Sequence, residues 1–182
     1  MLLRGALHVH TTCSDGELTI EQVIQVYESL HFDFIALTDH DYLLRSGAYD
    51  RIDDIQTNLL VFRGIELTVF EKGYVHVNRI EGEEERLFVF NHPSELGLSI
   101  EKVIERIETL RSRMPLDAIE ITSRGFKTPE YDTEDIDLVK VATDDAHTRL
   151  GCGRAWIEME CRKDRDAILR AIRKGDFWNC YA

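Results

Sequence analysis

The sequence predicts an α/β fold, in the form of a small, distorted or incomplete (β/α) barrel. Short apolar segments typical of strands alternate along the chain with amphipathic segments typical of helices, which indicates βαβ units with parallel strands. Six to eight such strands fit within the 182 residues. Unusual polar residues collect where these strands end, as expected for a barrel whose functional groups project from the carboxyl ends of its strands.

The first half of the chain supplies the clearest strand pattern. Residues 4–10 alternate, which predicts a strand with Ala6, His8 and His10 on one face and Leu7 and Val9 on the other. Thr19 is the predicted N-cap of a helix over 20–30 that carries an apolar stripe. The remaining elements predicted here are strands over 34–38, 59–67, 74–78 and 87–91 and a helical stretch near 45–58.

The second half alternates strands with two further helices. Ser99 is the predicted cap of an amphipathic helix over 100–113, and a final helix over 165–174 ends at Gly175, a residue type common just beyond helix ends. The acidic segment 81–86 predicts a solvated turn. The predicted strands of this half lie over 117–122, 138–143 and 154–159.

Composition indicates a globular protein, and we expect one domain over residues 1–182. No apolar run approaches the ~20 residues of a membrane helix, and the start is too short for a signal peptide, so we expect a cytoplasmic protein. The net charge of −12 disfavours nonspecific nucleic-acid binding. The four cysteines form no C-x-x-C pair, which favours reduced, mostly structural thiols.

Histidines and carboxylates mark the predicted strand ends. Six of the seven histidines lie there, and His31, at the end of the first helix, is the exception. Neutral imidazole and carboxylate are ligands of Zn²⁺, Mn²⁺ and Fe²⁺. An H-x-H pair on a strand has both rings on one face, with Cα atoms roughly 6.5–7 Å apart. The residues concerned are His8, His10, Asp39, His40, Asp41, Glu66, His76, His92, Asp145 and His147.

Each of these residues also has an ordinary structural explanation. A single buried histidine is more often a core residue than a ligand, and Asp39 could cap a helix. Asp15-Gly16 could form a plain turn, and His92-Pro93 could simply end a strand. These explanations would have to coincide at six strand ends, so the pattern favours a site for several metal ions.

The motifs HVHTTCSDG, ALTDHD, GIELT, NHP and TDDAH, with His76 between the third and fourth, resemble the successive motifs of the PHP (polymerase and histidinol phosphatase) superfamily. They occur in the family's order and span residues 8–147. The resemblance implies a distorted (β/α)7-like barrel whose site usually holds three divalent metals, here Zn, Mn or Fe. The family's D-x-H spacing selects Asp145 rather than Asp144.

The resemblance also implies how the ligands divide among the metals. One metal would take four ligands, a second would share Glu66 with the first, and a third would lie beside them. The three implied sets are His8, His10, Glu66 and Asp145; Glu66, His76 and His92; and Asp15, His40 and His147.

Metal chemistry then predicts a phosphoesterase. Attack of a metal-bridging hydroxide on a phosphate mono- or diester fits such a site, since no serine nucleophile motif is present. Asp39, His40 and Asp145 are the predicted catalytic residues: His40 or Asp39 could move a proton, or Asp39 could orient a ligand. Arg124 and Arg149 are candidate phosphate contacts, or else plain surface charges. We expect a small phosphorylated metabolite, a nucleotide or a nucleic-acid end as substrate, and no membrane partner.

Two other functions remain open at this stage. The spacing between Glu66, His76 and His92 leaves no room for an inserted helical cap, so we expect a stand-alone PHP module with an open site. Amidohydrolases also begin with H-x-H on a first strand, although here no lysine lies at the strand ends up to His92. A non-catalytic metal-binding PHP module is the other alternative, and the full set of ligands disfavours it.

Overall fold

The computed structural model describes residues 1–70 and 72–182. Its main feature is a nine-stranded sheet in the order β11-β10-β1-β2-β3-β4-β5-β6-β9, which curls into a nearly closed barrel. The described strands are β1 (Leu2–Val9), β2 (Phe34–Leu37), β3 (Leu60–Phe70), β4 (Tyr74–Glu81), β5 (Arg86–Phe90), β6 (Ala118–Glu120), β7 (Thr122–Ser123), β8 (Phe126–Lys127), β9 (Val139–Val141), β10 (Ala155–Glu160) and β11 (Trp178–Tyr181). The described α-helices are α1 (Ile20–Ser29), α2 (Ile100–Arg111) and α3 (Arg165–Lys174).

Strand directions confirm the α/β barrel and correct one part of the prediction. β1, β2 and β3 are parallel, as are β5, β6 and β9. The segment β3-β4-β5 is instead an antiparallel meander, and β10 runs antiparallel to β1 and β11. Parallel pairing therefore holds on both sides of this meander but not within it, because a hairpin joins β3 to β4 and the predicted acidic turn joins β4 to β5.

Two contacts close the barrel, one joining the segment after β9 to β1 and one joining β9 and the residue after it to β11. Beyond β9, the backbone of Ala146 pairs with β1: His10 N–H donates to Ala146 O at 3.0 Å, and Ala146 N–H donates to His8 O at 3.2 Å. Lower on β9, the Asn179 carboxamide of β11 accepts from Ala142 N–H at 2.7 Å and donates to Lys140 O at 2.9 Å. A side chain thus replaces a missing strand pairing.

A β-bulge in β1 changes which side chains face the barrel interior. The register against β2 shifts between Ala6 and Val9, so the simple alternation predicted for this strand is wrong. Ala6 packs with Val9 in the cluster under α1, whereas Leu7 belongs to the barrel core. The extra residue rotates the end of the strand, and His8 and His10 consequently point inward.

The three helices cover the barrel with the faces that the sequence predicts. Thr19 forms a capping box with Gln22 at the start of α1, and the Ser99 hydroxyl caps α2. Gly175 ends α3 with φ of 76°, a conformation that glycine adopts without strain. Each helix packs a buried apolar stripe against the sheet, listed in chain order as Val23, Ile24 and Tyr27; Val103, Ile107 and Leu110; and Ile168, Leu169 and Ile172.

The structure differs from the sequence prediction in segments whose sequence signals are weak. The predicted helix near 45–58 is wrong: the segment is a series of turns with one 3-10 turn at Ile52–Asp54, and it lacks a continuous apolar stripe. The β7-β8 hairpin and β11 were not predicted, because each is short. The four cysteines are free, as expected. In the described part of the chain, no helix has the length and apolarity to cross a membrane.

Replacing Asn179 by leucine is expected to destabilise the protein by about 1–3 kcal/mol, because two backbone groups of β9 lose their partners. Urea unfolding measures the change. Asn58, an exposed asparagine, is the matched control, and Asn58→Leu should change stability by less than about 0.5 kcal/mol. Equal effects of the two variants would show that Asn179 does not hold the barrel closed.

Candidate metal centre

One buried carboxylate lies at the centre of the candidate site. Glu66 on β3 is 1% exposed, and five histidines surround it. The distances from a Glu66 oxygen to the nearest ring nitrogen are 3.4 Å for His8, 3.3 Å for His10, 2.9 Å for His40, 3.2 Å for His76 and 3.1 Å for His92. The structure therefore brings together imidazoles from residues 8 to 92 of the chain.

The remaining predicted ligands extend this cluster in two directions. Asp145 Oδ1 lies 3.4 Å from His8 Nε2 and from His10 Nε2. On the more exposed side, Asp15 Oδ2 lies 3.4 Å from His40 Nε2 and from His147 Nε2. All nine predicted ligands thus lie in one cluster, although their ligation of metal remains a prediction.

These distances fit ligands around shared cations. Bonds of about 2.1 Å to a divalent ion place neighbouring ligand atoms about 3.0 Å apart in octahedral and about 3.4 Å apart in tetrahedral coordination. The Nε2 atoms of His8 and His10 face each other at 3.0 Å. The buried Asp145 Oδ1 has no hydrogen-bond partner although three ring nitrogens lie 3.4 Å from it. The donor set therefore fits divalent metal ions.

Backbone geometry positions two of the candidate ligands at some conformational cost. His92 has φ of 24° and Asp145 has φ of 44°, both in the region that non-glycine residues rarely adopt. Such conformations persist where the surrounding structure enforces them, frequently at functional sites. Here the chain turns sharply after β5 and after β9, and each turn directs a ligand toward Glu66.

His76 reaches the cluster by a route that its sequence position does not indicate. It lies on β4, opposite Thr68 of β3, within an antiparallel hairpin. The prediction placed it at a strand end, like the other histidines. Because β4 runs backward, its beginning lies at the same edge of the barrel as the carboxyl ends of the parallel strands.

Sequence reasoning missed Glu120, which orients two of the histidines. Glu120 ends β6, is 1% exposed, and has Oε1 2.7 Å from His8 Nδ1. A carboxylate only accepts, so Nδ1 of His8 carries a hydrogen, and Nε2 is the nitrogen that would bind an ion once it has released its proton. Glu120 also accepts from the backbone N–H of His92 at 2.8 Å and from the Thr143 hydroxyl at 2.6 Å.

Asn91 is a second residue whose role was not predicted, although it belongs to the quoted NHP motif. Its carboxamide is fully buried and donates to Glu66 Oε1 at 2.7 Å. The bond fixes the rotation of the Glu66 carboxylate between the histidines. A glutamate in a strand and an asparagine before a histidine are ordinary in sequence, so only their long-range contacts identify them.

Asp39 lies beside the cluster and is fully buried. Its carboxylate accepts from Thr11 N–H and Thr11 hydroxyl, both at 2.8 Å, from the Ser14 hydroxyl at 2.5 Å and from the Tyr49 hydroxyl at 2.6 Å. These bonds occupy both oxygens and hold the loop that carries Asp15. The geometry favours orientation of that loop over proton transfer by Asp39.

The two predicted substrate contacts differ in position. Arg124 lies in the turn between β7 and β8, its side chain is 71% exposed, and it lines a cavity that borders Asp145 and His147. Arg149 is exposed on the surface and is absent from the lining of that cavity. Asp144, next to Asp145, also lines this cavity, and its carboxylate accepts from the Tyr27 hydroxyl at 2.6 Å and from Gly153 N–H at 2.7 Å.

The surroundings raise the pKa of the buried histidines in the cluster and lower the pKa of Glu66. Burial opposes a charge on His92, but Glu66 and the other carboxylates outweigh it and raise the pKa of His92 to about 9. The same balance raises the pKa of His8 and, less strongly, that of His10. Burial would raise the pKa of Glu66, yet the adjacent histidines lower it well below the usual range.

Replacing Glu120 by glutamine is expected to weaken metal affinity by about 10–100-fold, because a neutral amide holds His8 less firmly than a carboxylate does. Isothermal titration with Mn²⁺ measures affinity and stoichiometry. Glu130, an exposed glutamate, supplies the control variant Glu130→Gln, which should bind like the unmodified protein. Equal affinity in the two variants would contradict the orienting role of Glu120.

Metal affinity is also expected to fall as pH is lowered from about 8.5 to about 6. The pKa values of His8, His10 and His92 are raised, so these rings hold protons near neutral pH, and bound metal must displace them. Titration of the chelator-treated protein in buffers of different ionisation enthalpy reports the protons released. Binding that releases no protons and ignores pH would argue that these histidines are not ligands.

Comparison with known proteins agrees with this geometry. The sequence model of the PHP domain family matches residues 6–148, whereas no curated protein sequence matches significantly. Among solved structures, a two-domain protein from Bacteroides vulgatus that contains a predicted PHP-like metal-dependent phosphoesterase superposes with a TM-score of 0.76 at 19% identity. All of this chain is covered, and it spans 65% of the length of that protein.

Two further structures share the fold at 13% identity and a TM-score of 0.69 each. An amidohydrolase from Chromobacterium violaceum, with bound sulfate and no metal, aligns over 96% of this chain and 97% of its own. PsfC from Pseudomonas syringae aligns over 100% of this chain and 92% of its own. The match over residues 6–148, which includes every predicted ligand, shows that the chain belongs to the PHP domain family.

Proposed function

We propose that this protein is a metal-dependent phosphoesterase that hydrolyses a phosphate mono- or diester at a site for three divalent cations. The observation that supports it is the single buried Glu66 carboxylate shared by five imidazoles, with Asp145 and Asp15 completing the cluster on either side. Membership of the PHP family supports the same reaction class. Zn, Mn or Fe suit this mixture of nitrogen and oxygen ligands.

The side chains of the cluster differ in exposure, which indicates the side from which substrate approaches. His8, His10 and Glu66 are buried and hold fixed positions, whereas the side chains of Asp15 and His147 are 41% and 28% exposed. Substrate therefore approaches from the side of Asp15 and His147. When bound, divalent cations lower the pKa of water and neutralise charge that develops on a phosphoryl group.

Within this proposal, the predicted catalytic residues act mainly by holding metal ions or neighbouring residues in place. Both ring nitrogens of His40 face carboxylates, Nδ1 toward Glu66 and Nε2 toward Asp15, so we assign it as a ligand. We also assign Asp145 as a ligand, because its Oδ1 faces ring nitrogens of three histidines, and Asp39 holds the loop of Asp15. Such fixed groups contribute by orienting the reacting atoms and by electrostatic stabilisation.

The proposed substrates are small phosphorylated metabolites, nucleotides or nucleic-acid ends. The net charge of −12 repels a long polyanion over most of the surface, while bound cations would reverse the sign locally. Amide hydrolysis and metal binding without catalysis are the competing functions. Turnover of phosphoesters distinguishes the proposed function from both alternatives, whereas metal content alone does not.

The unmodified protein is expected to hydrolyse p-nitrophenyl phosphate or bis-p-nitrophenyl phosphate with Mn²⁺ or Zn²⁺, and to lose activity with excess chelator. Asp145→Asn should lower kcat by at least about 100-fold, because a ligand charge next to the reacting phosphoryl group is lost. Release of p-nitrophenol measures the rate. Glu108→Gln, at an exposed position on α2, is the control and should keep full activity.

Three outcomes would contradict the proposal. A metal-loaded preparation that turns over no phosphoester supports a non-catalytic module. Turnover of cyclic amides without phosphoesters supports the amidohydrolase alternative. Full activity of Asp145→Asn, with circular dichroism unchanged, would place the reaction elsewhere in the molecule.

A further inference from the structure

A cavity of about 310 Å³ borders the metal-ligand cluster on its exposed side. Its lining includes Asp15, Asp145 and His147, which belong to the cluster, and Asp144 beside them. Two arginines, Arg124 and Arg154, line the same cavity. A molecule that reaches the cluster through this cavity therefore meets both carboxylates and arginines.

Arg154 is held in this position by the hairpin β7-β8. Its guanidinium carbon lies 5.1 Å from the centre of the Phe126 ring, in a cation–π contact. Gly125, with φ of 83°, lies so close that a Cβ there would be 2.4 Å from Cβ of Arg154. Glycine at this position lets the hairpin backbone pack directly on the arginine side chain, which restricts the conformations open to it.

The guanidinium of Arg154 has no carboxylate partner among the described residues. This is notable in a chain with 34 acidic and 22 basic side chains, in which most arginines near the surface form ion pairs. Arg124, by contrast, has Nε 3.5 Å from Glu95 Oε1. Arg154 thus adds a positive charge, which no ion pair among the described residues neutralises, to the lining of a cavity next to the candidate metal centre.

We propose that this cavity is a second anion subsite, which binds a phosphate group of the substrate other than the ester that reacts. The inference rests on the proposed function, since it names a substrate class for the same site: small molecules that carry two phosphates. The planar guanidinium matches phosphate with two parallel hydrogen bonds, and Arg154 supplies it with little loss of side-chain freedom. Arg124 forms the outer edge of the subsite.

The test compares phenyl phosphate with the bisphosphates of 1,2-, 1,3- and 1,4-benzenediol. The series varies the distance between the two phosphates while the reacting ester stays the same. In the unmodified protein, at least one bisphosphate should have kcat/KM about tenfold higher than phenyl phosphate, mainly through a lower KM, as expected for one charge-assisted contact. Arg154→Met should abolish this preference and leave kcat/KM for phenyl phosphate unchanged.

A matched control lies at the other end of the same strand. Arg162 follows β10, as Arg154 precedes it, and its exposed side chain pairs with Asp164. Arg162→Met should retain the preference for the bisphosphate. Arg154→Lys, which keeps the charge and loses the planar fork, should retain part of it, and this variant controls for a general loss of folding.

Failure of the subsite and failure of the proposed function give different results. Turnover of phenyl phosphate without any preference for a bisphosphate, or a preference that survives in Arg154→Met, overturns the subsite alone. If no phosphoester is turned over, titration of the chelator-treated protein with inorganic phosphate still tests the subsite. Binding about tenfold weaker in Arg154→Met than in Arg162→Met supports it, and equal binding overturns it.

Discussion

The structure depends on the burial of one negative charge, that of the Glu66 carboxylate. A buried charge is costly unless oppositely charged or hydrogen-bonding groups surround it. Five imidazoles and the Asn91 carboxamide do so here. A neutral imidazole compensates a carboxylate by donating one hydrogen bond, and a protonated imidazole or a bound cation compensates it more strongly. The raised pKa values of His8, His10 and His92 show that this end of the barrel favours positive charge around Glu66.

This requirement explains why the barrel departs from a regular (β/α) pattern near the site. A bulge in β1 brings His8 and His10 to the interior side, and the β3-β4 hairpin carries His76 back toward Glu66. Positive φ angles at His92 and Asp145 bend the chain inward after β5 and β9. Each irregularity brings a side chain closer to the Glu66 carboxylate. Each also has a local conformational cost, which interactions within the cluster must offset.

The sequence predicted which histidines and carboxylates meet in the cluster better than it predicted the groups that hold them. Histidines are rare, and six of them at strand ends form a pattern that chance does not explain. Glu120, by contrast, is one more alternating residue in a strand, and its contact with His8 joins positions 112 residues apart. The helix caps Thr19 and Ser99 were predictable because capping is local, whereas the bulge, the antiparallel meander and β11 depend on pairing between distant segments.

Charge distribution connects the cluster to the choice of substrate. The chain carries a net charge of −12, and Asp15 and Asp145 place further carboxylates in the cavity beside the cluster. Without cations these carboxylates repel an anion, whereas Arg154, in the lining of the same cavity, attracts one. Under the proposed function, recognition of a phosphorylated molecule therefore depends on both features, because bound cations would reverse the local sign and the arginine would then favour anions that reach it.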